Sequence, residues 1–248
     1  MPASELVTSL VAARKSGIPI VWRPELGPDD LAEAYKVSAE VATALDETVG
    51  GWKVGVATSG RGFAAPMFTS GFRASEAAWK RAPAIPLIPE IEVAVRLGRD
   101  LPPRPARAYT REEILDHVGQ VLIGIELIAR RFTPQPAYPR PANIADDLGN
   151  CGFVIGPAHS AFRNLDFTAL KARFRIGSEW REGRPHPKGD PLLPLIAWAN
   201  DQCDHLGGLR AGQIVTLGSL TPTVTISAPT SVEGEIAGLG RVGIDVID

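Results

Sequence analysis

The sequence predicts an α+β fold with a strongly bent sheet. Three observations carry this. Helical periodicity is concentrated in the first fifty residues. Short apolar runs, several alternating with polar residues, follow over the rest of the chain. Glycine (25) and proline (22) together supply about 19% of the 248 residues, against an ordinary ~12%. This excess has no repeat and falls between the apolar runs, as turns between short strands would. The length fits one domain, or one large domain with a small lobe. With 44% hydrophobic and 22% charged residues, the composition is that of a globular chain rather than a disordered one. We divide it into an N-terminal helical segment, 1–50, and a strand-rich unit, 51–248.

Taking the elements in order, Leu6, Leu10 and Val11 give Glu5–Lys15 helical spacing. A second helix starts after Pro28-Asp29-Asp30, where acids suit a helix N-terminus, and carries an apolar face through Leu31, Ala34, Tyr35, Val37, Val41 and Leu45. Gly50-Gly51 ends the helical part, and residues 52–56 read as a strand. Residues 57–83 read as loop. Between Leu87 and Leu101, Ile91, Val93, Val95 and Leu97 alternate with Glu92, Ala94 and Arg96, giving a strand with one apolar face. Thr110 and Glu113 form a capping box for a helix to about Val121. Residues 132–150 read as irregular, 151–156 as a strand, and 167–177 with a partner near Glu179–Glu182 as a hairpin. A helix opens at Asp190-Pro191 and runs to about Leu206. Two short strands are expected within 207–226, and one or two more within 232–247.

Several classes are excluded. The net charge is −2, so no nucleic-acid or membrane-surface footprint is expected. No apolar run approaches the ~20 residues of a membrane span, and the N-terminus does not read as a secretory leader. Two cysteines, Cys151 and Cys203, cannot build a disulfide framework, so a cytoplasmic location is expected. There is no phosphate-binding loop and no G-x-S-x-G elbow. The four histidines lack metal-ligand spacing, which argues against zinc.

Glu90-Ile91-Glu92 is the most informative motif. On a strand these carboxylates share a face roughly 7 Å apart, and they repel unless a cation lies between them. All-oxygen ligation favours Mg²⁺ or Mn²⁺. The competing reading is a solvated polar face, with Arg96 on it. Glu126 lies inside the apolar run Val121–Ile128, where a carboxylate needs a metal or an ion pair. Arg130 or Arg131 could supply the pair. Lys53, in Gly51-Trp52-Lys53-Val54-Gly55, could orient a carboxylate or move protons, or be an ordinary strand lysine. Asp146, Asp147 and Asn150 could line a pocket or make turns.

The ordered segments GWKVG (51–55), PEIEVAVRLGRDL (89–101), GIELIARRF (124–132), ANIADDLGNCGFVIG (142–156), DPLLPLIAWAN (190–200) and LRAGQIVTLGSLTPTVTI (209–226) resemble the 2-keto-4-pentenoate hydratase family of the fumarylacetoacetate hydrolase superfamily. The resemblance spans nearly the whole chain. It implies a mixed β-roll flanked by helices, a homo-oligomer, and a divalent-metal-dependent hydratase of 2-hydroxy-2,4-dienoates or 2-oxo-3-enoates in aromatic catabolism. It further implies Glu90, Glu92 and Glu126 as ligands of Mg²⁺ or Mn²⁺, and Lys53, Asp146 and Asp147 as catalytic groups. Arg61, Asn150, Leu217 and Gly218 would contact the substrate. A 4-oxalocrotonate-type decarboxylase ranks second and a C–C hydrolase third. A catalytically altered subunit partnering a pathway decarboxylase or hydratase follows. The chain departs from the family pattern in having no acid between Ala57 and Ser75, an Asp146-Asp147 pair, and Thr216-Leu217-Gly218 in the late strand. A second substrate carboxylate would call for an arginine, with Arg61, Arg73, Arg130 and Arg140 as candidates.

Overall fold

The computed structural model describes residues 5–133, 138–203 and 205–248. Part of the irregular 132–150 stretch therefore lies outside the described residues. The elements are α1 (Glu5–Ser16), β1 (Ile20–Val21), α2 (Leu31–Ala44), β2 (Val49–Val56), β3 (Gly62–Phe68), β4 (Phe72–Ala74), β5 (Ala77–Lys80), β6 (Ile88–Leu97), α3 (Arg111–His117), β7 (Val118–Ile128), β8 (Phe132–Thr133), α4 (Arg140–Ala145), β9 (Asn150–His159), β10 (Ala172–Ile176), β11 (Glu179–Glu182), α5 (Leu193–Asp201), β12 (Ile214–Ser219), β13 (Thr230–Ile236) and β14 (Gly240–Ile247).

The α+β expectation holds. A seven-stranded mixed sheet has the order β3-β2-β12-β6-β7-β9-β4, and a five-stranded sheet the order β11-β10-β13-β14-β5. The larger sheet curls until β3, near one end of the order, packs against β9. Its outer face and the smaller sheet enclose the main core. Ile91, Val93, Val95 and Leu97, the apolar face read from the sequence, all lie in that core with Trp52, Val232 and Ile244. On the opposite face, inside the curl, Met67, Ala94, Leu122, Phe153 and Ile214 form a small separate cluster. The parity of β6 and β7 puts Glu90, Glu92 and Glu126 on that inner face as well. The helical layer has its own core, in which Leu6, Val7 and Leu10 of α1 and Ala34, Val37 and Val41 of α2 meet Phe132 and Ile144.

The cap of α2 is as read: Asp30 accepts from the Glu33 amide at 2.8 Å. The Thr110–Glu113 capping box of α3 is also present. Other boundaries differ for identifiable reasons. The helix expected to reach Val121 ends at His117, because Val118 turns extended and the β-branched Val121, Ile123 and Ile125 prefer the sheet. Gly119 permits the chain to pass Gly98, since a Cβ there would lie 3.1 Å from the Gly98 Cα. The stretch 57–83 holds three strands rather than a loop. Pro66 hid β3 from a sequence reading, yet β3 is an edge strand, where a missing donor is tolerated. The last helix stops at Asp201 instead of Leu206, and Leu206, Gly207 and Gly208 have positive φ. Of the two strands expected in 207–226 only β12 forms; the second is reduced to a bridge between Leu87 and Ile226. β10 and β11 make the expected hairpin.

Candidate metal centre

Side chains from β2, β6, β7 and β9 and a bulge in β12 build the site. Glu90 and Glu92 stand two residues apart on β6, on one face of the pleat. Antiparallel register sets Glu126 of β7 directly opposite Glu90, and Gly124 opposite Glu92. Opposed side chains of such a pair start with Cβ atoms about 5 Å apart. One carboxylate oxygen from each of the three lies within 4.8 Å of the other two. Glycine at 124 is required by packing, since the Phe153 ring lies across it and a Cβ would sit 2.0 Å from Cζ.

Lys53 reaches the cluster from β2, two strands from β6 across β12. Its Nζ is 3.0 Å from Glu126 Oε2 and 4.0 Å from Glu90 Oε2. The Asn150 amide donates to Glu126 Oε1 at 2.9 Å. The Gly218 amide donates to Glu92 Oε2 at 3.0 Å. That last bond depends on an irregularity of β12: its pairing with β6 shifts register between Thr216 and Ser219, and Gly218 takes φ +115, a conformation suited to glycine. His186 packs behind the bulge, with Nε2 3.0 Å from the Leu217 carbonyl, and its Nδ1 accepts from the Lys188 amide. These two bonds together select the neutral tautomer with its proton on Nε2, and burial lowers the pKa of the ring. Sequence reading missed His186. The PHPKG stretch around it shows no spacing to the acids, and only the fold brings them together.

The electrostatics describe a cage short of positive charge. Burial, aided by the charges of Glu126 and Glu90, pushes Glu92 well above the ordinary carboxylate range. Burial also raises Glu90 although Lys53 opposes it; Glu126 adds to the rise, and Arg184 and Arg130 counter it. Lys53 loses solvation, yet Glu126, Glu90 and Glu92 together hold its pKa above the usual lysine value. One ammonium thus faces three acids, two buried and one half-buried. Thr216, paired in register with Lys53 on β2 and Ala94 on β6, has a buried hydroxyl with no hydrogen-bond partner among the described residues. An all-oxygen donor set, mutual repulsion and unfilled acceptors suit a hard divalent cation.

The remaining expected site residues lie elsewhere. Asp146 pairs with buried Arg131 at 3.1 Å and accepts from the Arg131 amide. Arg131 in turn donates to the Asn150 carbonyl at 2.7 Å, so Asp146 connects to the cage through Arg131 and Asn150. Asp147 binds Arg14 of α1 at 2.5 Å and the Ser38 hydroxyl of α2 at 2.6 Å. Arg61 pairs with Asp201 at 3.2 Å on the wall of a separate cavity that includes Tyr35, Phe63 and Trp198. Leu217 buries its side chain in the main core and offers the site only its backbone. Glu126 therefore takes Lys53 and Asn150 as partners, while Arg131 is committed to Asp146. Neither Cys151 nor Cys203 is in a disulfide, and burial raises Cys151 to about 12. No helix of the described residues is long and apolar enough to cross a membrane.

No family model matches the chain. Among curated relatives, it is 30% identical over 156 residues to a 2-keto-4-pentenoate hydratase of Burkholderia vietnamiensis, covering 62% of this chain and 58% of that protein. The chain thus matches somewhat over half the length of that relative. A 2-keto-4-pentenoate hydratase of Paraburkholderia xenovorans is 26% identical, with 96% of this chain and 92% of that protein covered. Among solved structures, the 4-oxalocrotonate decarboxylase of Pseudomonas putida G7, complexed with magnesium and adipate, superposes with a TM-score of 0.82 at 16% identity, over 99% of this chain and 97% of that one. The fumarylpyruvate hydrolase of Pseudomonas aeruginosa, in complex with Mn²⁺ and pyruvate, gives 0.56 at 14% identity, over 79% and 88%.

Proposed function

The chain is homologous to the 2-keto-4-pentenoate hydratases and has the fold of the fumarylacetoacetate hydrolase superfamily; from that premise we propose that it is a divalent-metal-dependent hydro-lyase. It adds water to a 2-oxo-3-enoate, reached from its 2-hydroxy-2,4-dienoate form, to give a 4-hydroxy-2-oxo acid. The observation that carries this reading is the triad of half-buried Glu90 and buried Glu92 and Glu126, with oxygens within 4.8 Å of one another and Lys53 as their ion-pair partner among the described residues.

In this reading the three glutamates hold Mg²⁺ or Mn²⁺. A divalent ion there supplies Lewis acidity toward the C1 carboxylate and C2 oxygen of a 2-oxo acid. The chain's own residues do the rest. Asn150 and the Gly218 amide fix two of the carboxylates in orientation. His186 fixes the bulge that presents the Gly218 amide. Lys53, kept protonated by the three acids, holds the proton nearest the cage and delivers it to C3; water adds at C4, and the proton it releases returns to the Lys53 amine, so that one water is added and the lysine is restored. Asp146, through Arg131 and Asn150, is a positioning residue.

The test is the absorbance of freshly generated 2-hydroxypenta-2,4-dienoate with Mg²⁺, Mn²⁺ or excess chelator. Metal-dependent loss of the dienoate, with a 4-hydroxy-2-oxo product, is expected. Turnover undiminished in chelator overturns the reading. Metal-dependent release of CO₂ from a 2-oxo-3-enedioate, without hydration, replaces it with the decarboxylase, which needs the same cage.

A further inference from the structure

We propose that Arg184 selects substrates with a second carboxylate, its guanidinium receiving the far end of a linear 2-oxo diacid whose 2-oxo carboxylate end lies at the glutamate cage. This deepens the metal-dependent reading above and rests on it.

Backbone placement is the first support. The Arg184 amide donates to the Leu220 carbonyl at 2.7 Å, and the Leu220 amide donates to the Ile91 carbonyl at 2.9 Å. Arg184 therefore lies two hydrogen-bonded steps, roughly 10 Å, to the side of the residue between Glu90 and Glu92. That placement is fixed from both sides. The Gly183 amide binds the Ala172 carbonyl at 2.8 Å, and a Cβ on Gly183 would lie 2.4 Å from the Leu220 carbonyl oxygen. Two residues further on, buried His186 is tied to Leu217. The segment is pinned while the Arg184 side chain itself is exposed.

Availability is the second support. Arg61 is paired with Asp201. Arg73 donates to the Ser70 and Phe72 carbonyls and lies over Trp79. Arg140 stacks on Phe63, 4.5 Å from the ring centre. Arg131 is spent on Asp146 and Asn150. Arg184 has no carboxylate partner among the described residues, yet its charge is felt at Glu90.

Charge balance is the third. Three carboxylates, the Lys53 ammonium and a divalent ion sum to zero, so the cage has no positive charge to spare for a second carboxylate. A guanidinium beside it, with a planar fork that matches a carboxylate in two-point geometry, provides that charge.

The test is calorimetric binding of 2-oxoadipate and 2-oxohexanoate to the full-length protein loaded with Mn²⁺. The two acids share carbon number and metal-seeking head and differ only at the far end. Wild type is expected to bind the diacid at least tenfold more tightly. Arg184→Gln should bring the diacid to the level of the monoacid while leaving the monoacid within twofold, and Arg184→Lys should keep part of the preference. A preference that survives Arg184→Gln overturns the assignment, and one lost instead with Arg130→Gln moves it to that residue. Metal-dependent binding of both acids with no preference in wild type also overturns it, while leaving the metal reading intact. Binding unaffected by chelator overturns both.

Discussion

Glu126 faces Glu90 across the β6–β7 ladder, and the two carboxylates share one ammonium, that of Lys53, at 3.0 and 4.0 Å. Two acids set opposite each other in a sheet normally repel. Here the repulsion is partly met by Lys53 and left unmet at Glu92, which has a backbone amide but no ion-pair partner among the described residues.

Glu92→Gln keeps an oxygen for the Gly218 amide and removes a charge whose burial is costly. The apo protein is expected to be at least as stable as wild type, and turnover in Mg²⁺ or Mn²⁺ to fall to background. At a metal concentration 100 times its dissociation constant, wild type gains about 2.7 kcal/mol from binding, and the variant should gain none. Thermal unfolding with and without Mn²⁺ reads this directly. An equal metal-induced rise in both proteins removes Glu92 from the ligand set.

Lys53→Met deprives the cage of its cation. Breaking one side of a buried ion pair costs roughly 3–5 kcal/mol, so the apo variant should unfold well below wild type. Mn²⁺ should restore most of that loss without restoring turnover, since the proton carrier is gone. An apo variant as stable as wild type would sink the idea that Lys53 is what balances the acids.

Gly124→Ala forces a methyl against Phe153. Overpacking of this kind costs about 1–3 kcal/mol, and the resulting shift of β7 should weaken metal binding as well. Adding Phe153→Leu should recover much of both. Denaturant midpoints and Mn²⁺ titrations of the single and double variants check it; a double variant no better than Gly124→Ala contradicts it.

Asp147 supplies a pH dependence away from the cage. Burial raises it from 3.8 to about 6, although Arg14, the Ser38 hydroxyl and Arg131 pull it down. Between those values the unfolded chain has released this proton and the folded chain retains it. The stability it provides is therefore full below pH 3.8 and lost as pH rises through 6. The span corresponds to roughly 3 kcal/mol at most. Asp147→Asn cannot ionise, so the variant should gain on wild type by up to that amount between pH 4 and 7. Parallel stability profiles for the two proteins would rule the assignment out.

Much of the cage was legible because strand alternation is a strict code: Glu90 and Glu92 share a face once the strand is recognised, and Glu126 declares itself by interrupting an apolar run. Lys53 stood out for similar reasons, framed by glycines and apolar residues. The rest depended on distance in the chain. Nothing local links His186 to Leu217, or Arg184 to Ile91. The sequence leaves Asn150 open as a pocket or turn residue, and its use, orienting Glu126, follows from a register shift between β7 and β9 that no spacing announces. β3 was missed because it is an edge strand with a proline and no alternation, and the early stop of α3 reflects competition from the sheet.

The chain of contacts Arg14–Asp147 and Asp146–Arg131–Asn150–Glu126 joins the first helix to the innermost acid, with Asp146 and Asp147 adjacent in sequence. The helical layer is thus wired to the site rather than laid over it. A shortened version of the protein starting at β2, where a designer reading only the sheet would cut, would leave Asp147 buried without its counter-charge and loosen the backbone that carries Asn150. The first helix belongs to the working part of the molecule, and its sequence should vary less freely at Arg14 than its place at the edge of the fold suggests.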